Sequence, residues 1–212
     1  MDISCQNVVS SLDLVYSILD ATSSPKPIPI FGLSKGVKMA KKKIKINRAP
    51  VLTLWATVVA ERLGYDKKTA LTLGKAVAGL NAQSKGRRLG IYEEKTEEER
   101  GKKKEEPAKL EFIKILGRGV PAVKTPNGLR AAVDGKPIYA ESVETYLKQR
   151  FGEDFDEARA ALEKLAKAYT PKQLESKAYD LYEKFRPEIP EGAKGWGAKG
   201  EPDLDYIRSL AE

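Results

Sequence analysis

Residues 50–82 read PVLTLWATVVAERLGYDKKTALTLGKAVAGLNA, and their spacing decides the class of fold. Val51, Leu54, Trp55, Val58, Val59 and Leu63 recur at helical intervals and form one wide apolar stripe. Pro50 suits the first turn of that helix, and Gly64 suits the position just past its end. Asp66 can then cap a second helix, expected from about Lys67 to Ala82, on which Ala70, Gly74 and Ala78 return every four residues. Small residues on one face let another helix approach closely. The connection Gly64-Tyr65-Asp66 is short enough to impose an antiparallel or steeply crossed helical hairpin.

Downstream the period changes. KLEFIKIL (109–116), VPAVKT (120–125) and LRAAVDGKPIYA (129–140) are short β-prone runs, separated by the turn signals GRG (117–119) and PNG (126–128). They predict a small antiparallel meander. A third helix is expected after a Ser142 cap, beginning with Val143, Tyr146 and Leu147 and ending at Gly152. Asp154 or Asp156 opens a fourth, with Ala158, Ala161, Leu162, Leu165 and Ala168 on one face. Thr170, Pro171 and Gln173 spell a capping box for a fifth, whose stripe is Leu174, Ala178, Leu181, Tyr182 and Phe185, and Pro187 stops it. DLDYIRSL (203–210) closes the chain in one or two turns. The class is therefore α+β and helix-dominated: an N-terminal helical hairpin, a small antiparallel β-meander and a C-terminal helical unit.

Composition divides the chain further. Residues 1–38 read as an N-terminal extension, with Val8, Leu12, Val15 and Leu19 at the spacing of an N-terminal helix and then a Pro-rich linker, SSPKPIPIFG, and Met39 before AKKKIKINRAP resembles a second start for a cytosolic protein. Residues 39–92 form a basic helical-hairpin region. The run 93–107, which includes EEKTEEERGKKKEE, is too charged to enter a core and is expected to be a linker at a domain boundary. Residues 108–212 hold the meander, its following helices and a C-terminal Gly-rich strap.

Several chemistries are excluded or disfavoured. The chain has no histidine, hence no Ser-His or Cys-His nucleophile pair and no His-ligated metal. Its lone cysteine, Cys5, forms no internal disulfide and fits a reducing cytosol. No apolar run approaches the roughly 20 residues of a membrane span. Acids do not pair up in apolar surroundings: Asp134 sits in an Asp-Gly turn signal, and Tyr139, Glu141 and Glu144 lie near a helix start where acids are favoured electrostatically. No catalytic residue, metal ligand or cofactor is nominated, and a small-molecule enzyme is the third-ranked reading.

Charge carries the functional signal. Between residues 35 and 88 fourteen Lys and Arg stand against Glu61 and Asp66, a net +12, whereas the whole chain is +8, so everything else sums to −4. A polyanion is the natural partner of such a field. Two clusters lie within it. KMAKKKIKINR brings Lys41, Lys42, Lys43, Lys45 and Arg48 ahead of the first helix, and QSKGRRLG brings Lys85, Arg87 and Arg88 to the end of the second. Lysines of this kind follow phosphates, and arginine adds bidentate contacts.

The hairpin has a weak likeness to a helix-turn-helix, but only Thr69, Thr72, Lys68 and Lys75 would be exposed on a recognition helix, which argues for a packed hairpin and against base readout. Asn81, Gln83 and Ser84 read as polar C-capping groups. Tyr179, Tyr182 and Phe185 have the spacing of a buried stripe. In GAKGWGAKG (192–200), Gly195, Gly197 and Gly200 match G-x-G-x-x-G, but the flanking RPEIPE and EPD supply neither the strand nor the helix of a dinucleotide site. Only twelve residues follow Gly200, too few to complete a KH-type domain around a GxxG loop. The stretch is expected to be a strap in which Trp196 anchors the chain end or, failing that, stacks on a base or partner.

APVLTLWATVVAERLGYDKKTALTLGKAVAGLNAQSKGRRLG (49–90) and LYEKFRPEIPEGAKGWGAKGE (181–201) resemble a small uncharacterised family of bacterial and archaeal proteins. The likeness spans most of residues 47–205. It implies a cytosolic, prokaryotic setting and brings no catalytic residue, ligand or partner. The leading expectation is a cytoplasmic, non-enzymatic nucleic-acid-binding protein that contacts mainly phosphates, with DNA and RNA both open. The alternative is a protein-interaction or homo-oligomerisation module that docks through the small-residue helix face or the N-terminal helix.

Overall fold

Helix α1 (Arg48–Arg62) is buried on every side from Pro50 to Ala60. A helix with one apolar stripe lies on a surface, whereas one that is apolar all round lies in the middle of a fold. The stripe expected from spacing is thus only part of the buried surface. Thr53 and Thr57 complete it because their hydroxyls donate to Ala49 O and Thr53 O, both at 2.8 Å, and so bring no unsatisfied polar group inside.

A computed structural model describes residues 44–91, 110–192 and 197–212, all within one compact unit, Ala40–Glu212. The expected N-terminal helix, the Pro-rich linker and the charged run 93–107 lie outside the described residues.

Helix α2 (Lys67–Arg88) packs along α1. Asp66 caps it, accepting from Lys68 N and Thr69 N at 3.0 Å each. A Cβ on Gly74 would collide with Thr57 Oγ1 and Thr53 O, which shows why the small-residue face is needed. Ala70, Gly74 and Ala78 are all buried, so that face is already occupied within the fold.

Gly64 (φ 100°) ends α1, with Tyr65 N–H donating to Ala60 O and Gly64 N–H to Glu61 O. This is a Schellman stop. Helix α2 ends in the same way: Gly90 takes φ 65°, Ile91 N–H donates to Gly86 O at 2.9 Å, and Gly90 N–H donates to Arg87 O at 3.0 Å. The expected end near Ala82 is therefore corrected. Polar Asn81, Gln83 and Ser84 are inside the helix, and the stop signal is Gly90.

The meander consists of β1 (Glu111–Ile115), β2 (Arg118–Thr125), β3 (Gly128–Val133) and β4 (Lys136–Pro137), antiparallel in the order β1-β2-β3-β4. Leu116-Gly117 and Asp134-Gly135 make two of the three tight turns, each with both residues at positive φ, and Pro126-Asn127 makes the third. The GRG signal thus turns at its first glycine, and Arg118 and Gly119 already belong to β2. Ile113, Val120, Ala122 and Ala131 enter the core. Buried Thr69 and Thr72 of α2 lie against backbone groups of β3: the single hydroxyl proton of Thr69 is shared between the Asp66 carboxylate and Leu129 O, the latter 2.7 Å away, and Ala131 N–H donates to Thr72 Oγ1 at 3.0 Å. The exposed recognition-helix surface considered for these threonines does not exist.

Helix α3 (Ala140–Phe151) starts two residues before the expected Ser142 cap; Ser142 lies within it and donates to Tyr139 O, and Gly152 (φ 59°) ends it. After one 3-10 turn, Gly152–Asp154, come α4 (Phe155–Lys167), α5 (Pro171–Phe185) and α6 (Leu204–Ser209). The Thr170–Gln173 capping box forms as expected. Ala168 is exposed just beyond α4, outside the face assigned to it. Trp55 meets Phe185 edge-on at 5.5 Å and donates its indole N–H to Ala178 O at 2.7 Å, which ties α1 to α5 at the centre of the core. One apolar cluster joins α1 and α2 to β1–β3 and α3–α6, so the regions on either side of the charged run do not each close a core of their own.

Candidate nucleic-acid interface

Hairpin geometry positions the two basic clusters. Gly74 lies against Thr53 and Thr57, so the helices run antiparallel away from their turn, and Arg48 comes level with about Asn81. Helix α2 is 22 residues long and α1 is 15, so the last two turns of α2 overhang the start of α1 by about 10 Å. Arg48 and the Lys85, Arg87 and Arg88 cluster consequently belong to the same end of the hairpin.

The other end of the hairpin is neutralised. Lys67 pairs with Glu144 at 3.3 Å and Lys68 with Glu141 at 3.0 Å, both acids standing on α3. The Lys68 and Lys148 partners hold the carboxyls of Glu141 and Glu144 below their usual range, the backbone hydrogen bond of Glu141 contributing first. Lys75 is half-buried, with its Nζ 3.9 Å from the Tyr146 ring centroid; burial, then Arg150, lowers its pKa. Arg62 reaches Tyr169 O. At the overhanging end Lys85 and Arg88 are exposed, and among the described residues no acid pairs with them. Among the described residues the basic region thus has two cations paired with acids at the turn end of the hairpin and two exposed ones, Lys85 and Arg88, at the other.

A cleft of about 350 Å³ opens at that end between α2 and the β1–β2 turn, lined by Leu80, Gln83, Ser84, Arg87, Gly117, Arg118 and Gly119. Arg118 is held in place: its guanidinium donates to Asn81 Oδ1 at 3.0 Å and to Ser84 Oγ at 3.3 Å, with Cζ 6.0 Å from the Tyr179 ring centroid. A guanidinium has five N–H donors, so an anchored Arg118 keeps donors for an anion. Asn81 and Ser84 therefore position an arginine instead of capping a helix. Ser84 Oγ donates to Leu80 O at 2.9 Å inside α2. Because Gly90 and Ile91 satisfy the last carbonyls, the cations of the final turn are not required as caps.

Arg118 was missed from sequence because GRG registers as a turn. The signal that could have found it is the pair of glycines around one arginine, which removes neighbouring side chains from its approach. Of the expected contacts, Lys45 is exposed, while Arg48 is half-buried and donates from Nε to Pro187 O at 2.9 Å. Tyr182 Oη donates to Arg48 O at 3.3 Å, and burial raises the Tyr182 pKa. Lys41, Lys42, Lys43 and Trp196 lie outside the described residues. The strap's far end is fixed: Ile46 and Gly200 exchange hydrogen bonds at 3.0 and 2.9 Å, and a Cβ on Gly200 would collide with Glu188 O. Gly200 is a close-approach glycine at the root of the basic arm.

Among the described residues no group of three or more Cys, Asp or Glu could hold a metal ion, and no helix is long and apolar enough to cross a membrane. No family model matches the chain, and neither a curated protein nor a solved structure matches it.

Proposed function

We propose that the chain is a cytoplasmic, non-enzymatic nucleic-acid-binding protein that grips phosphates at the overhanging end of the α1–α2 hairpin. One observation supports the reading: among the described residues Lys67 and Lys68 pair with acids of α3, whereas Lys85 and Arg88 are exposed in the last turns of α2 with no acid paired to them. Contacts of this type are to backbone, carry no base sequence and weaken with salt.

The test is fluorescence anisotropy with labelled DNA and RNA oligonucleotides. With about five phosphates engaged, log Kd for duplex DNA should rise with log salt at a slope of about 4.5. The double variant Lys85→Glu, Arg88→Glu should bind at least tenfold more weakly and with a smaller slope. Absence of binding at low salt, or binding indifferent to the double reversal, would overturn the proposal.

A further inference from the structure

We infer that the Arg87–Arg118 cleft receives a terminal phosphomonoester, either the phosphorylated end of a strand or the phosphate of a free nucleotide. The inference goes beyond the backbone reading, which needs only exposed Lys85 and Arg88, and does not depend on it. Arg118 is its centre. As the first residue of β2 it stands opposite buried Ile115, on the sheet face that meets α2. Three neutral groups fix its guanidinium: Asn81 Oδ1 at 3.0 Å, Ser84 Oγ at 3.3 Å, and the Tyr179 ring, whose centroid is 6.0 Å from Cζ. Among the described residues no carboxylate pairs with it. A half-buried guanidinium held only by neutral partners keeps its charge uncompensated, and two donated bonds leave three N–H groups over. A fork already fixed in this way is prepared for bidentate contact with an oxyanion.

The rest of the lining follows the period of α2. Leu80, Gln83, Ser84 and Arg87 stand at i, i+3, i+4 and i+7 and so form one face toward the β1–β2 turn. Arg87 brings a second guanidinium, Gln83 an amide that donates and accepts, and Leu80 an apolar patch, while Gly117 and Gly119 leave the opposite wall without side chains. No acid lines the cleft among the described residues. Two guanidiniums suit a phosphomonoester, which carries about −1.5 to −2 at neutral pH, better than the single charge of an internal phosphodiester. A volume of about 350 Å³ lies near the lower limit of small-molecule sites and admits a phosphate with its sugar. Arg88 follows Ser84 by about one turn, roughly 5.4 Å, on the same side of α2. A strand whose end sits in the cleft would meet that exposed cation next.

The experiment uses the full chain at low salt. Anisotropy compares an oligothymidine bearing a 5′ phosphate with the same oligothymidine bearing a 5′ hydroxyl, the label being at the other end, and calorimetry compares thymidine 5′-monophosphate with thymidine. If a strand end is the ligand, the phosphorylated oligonucleotide should bind about tenfold more tightly than the hydroxyl form. If a free nucleotide is the ligand, the monophosphate should bind saturably and thymidine should not. In either case Arg118→Gln should remove the difference and Arg118→Lys most of it, because an ammonium cannot make the bidentate contact. Thermal melting checks that both variants fold, and should either fail to fold, the comparison of phosphate with hydroxyl on the wild type decides alone. Equal affinity for the two oligonucleotides together with no saturable binding of the monophosphate would overturn this inference and leave the backbone reading standing. Binding of the monophosphate with no affinity for either oligonucleotide would overturn the backbone reading and leave this one.

Discussion

Two glycines of α2, five residues apart, have opposite reasons to be there. Gly74 is pressed against α1, where Thr57 Oγ1 and Thr53 O occupy the space a Cβ would need, and both are held by the interior of α1. Gly79 is exposed, and a Cβ there would meet nothing within 4 Å. Replacing a helical glycine by alanine gains about 0.5–1 kcal/mol where space is free. At Gly74 the helices must separate, and overpacking of this kind costs about 1–3 kcal/mol. Gly74→Ala should therefore lower the urea midpoint and Gly79→Ala should raise it, in one helix with one substitution. If both variants shift in the same direction, the close α1–α2 approach is wrong.

Elements are set by their ends as much as by their faces. Asp66 begins α2, and hydrogen bonding from the Thr69 hydroxyl, partly offset by burial and aided by the backbone N–H groups of Thr69 and Lys68, holds its carboxyl below the usual value of 3.8. A lowered folded pKa means that the stabilisation is complete above the unfolded value and is lost as pH falls through the folded one. Asp66→Ala should cost about 1 kcal/mol at neutral pH, and the gap to wild type should narrow in denaturation curves as pH falls through and below the usual carboxylate range. A constant gap across that range would show that the cap acts without its charge. The same logic explains which ends were legible. Gly64, Asp66, Gly152 and the Thr170–Gln173 box act through neighbours in the chain, and each does what its spacing implies. The end of α2 was misread because Asn81–Ser84 resembles a polar terminus locally, while its polar groups find a partner in Arg118, 37 residues from Asn81. Ser142 failed as a cap for a related reason: the turn from β4 leads directly into α3, and Tyr139 takes the N-cap position. Of the site, Lys85, Arg87 and Arg88 were visible as a cluster in the sequence, whereas Arg118 joins it only through the packing of the β1–β2 turn on α2.

At the scale of the molecule, composition and packing divide the chain differently. Charge sets residues 35–88 apart from the rest, and the run 93–107 resembles a boundary. The core ignores that division, because α1 buries its circumference against α2 on one side and against α3, α4, α5 and β1 on others. Trp55 takes part on both counts, standing in α1 while its N–H bonds Ala178 O in α5. A hairpin cut free at the charged run would expose about half of the α1 surface, and helices near 15 residues are marginal in water without tertiary packing. The unit should therefore unfold as one. With Trp196 replaced by Phe, so that Trp55 alone reports, urea transitions followed by tryptophan fluorescence and by far-ultraviolet circular dichroism should share a midpoint and a slope. Trp55→Ala should move both curves together by about 3–5 kcal/mol, since it removes the ring and the hydrogen bond that join the two regions. A fluorescence transition separated from the dichroism transition would mean that the basic hairpin folds and unfolds independently, and the common core would then be the feature to abandon. Coincidence would also bear on binding. The cleft has one wall on α2 and one on the β1–β2 turn, so a nucleic-acid strand seated there would stabilise both regions in the same step.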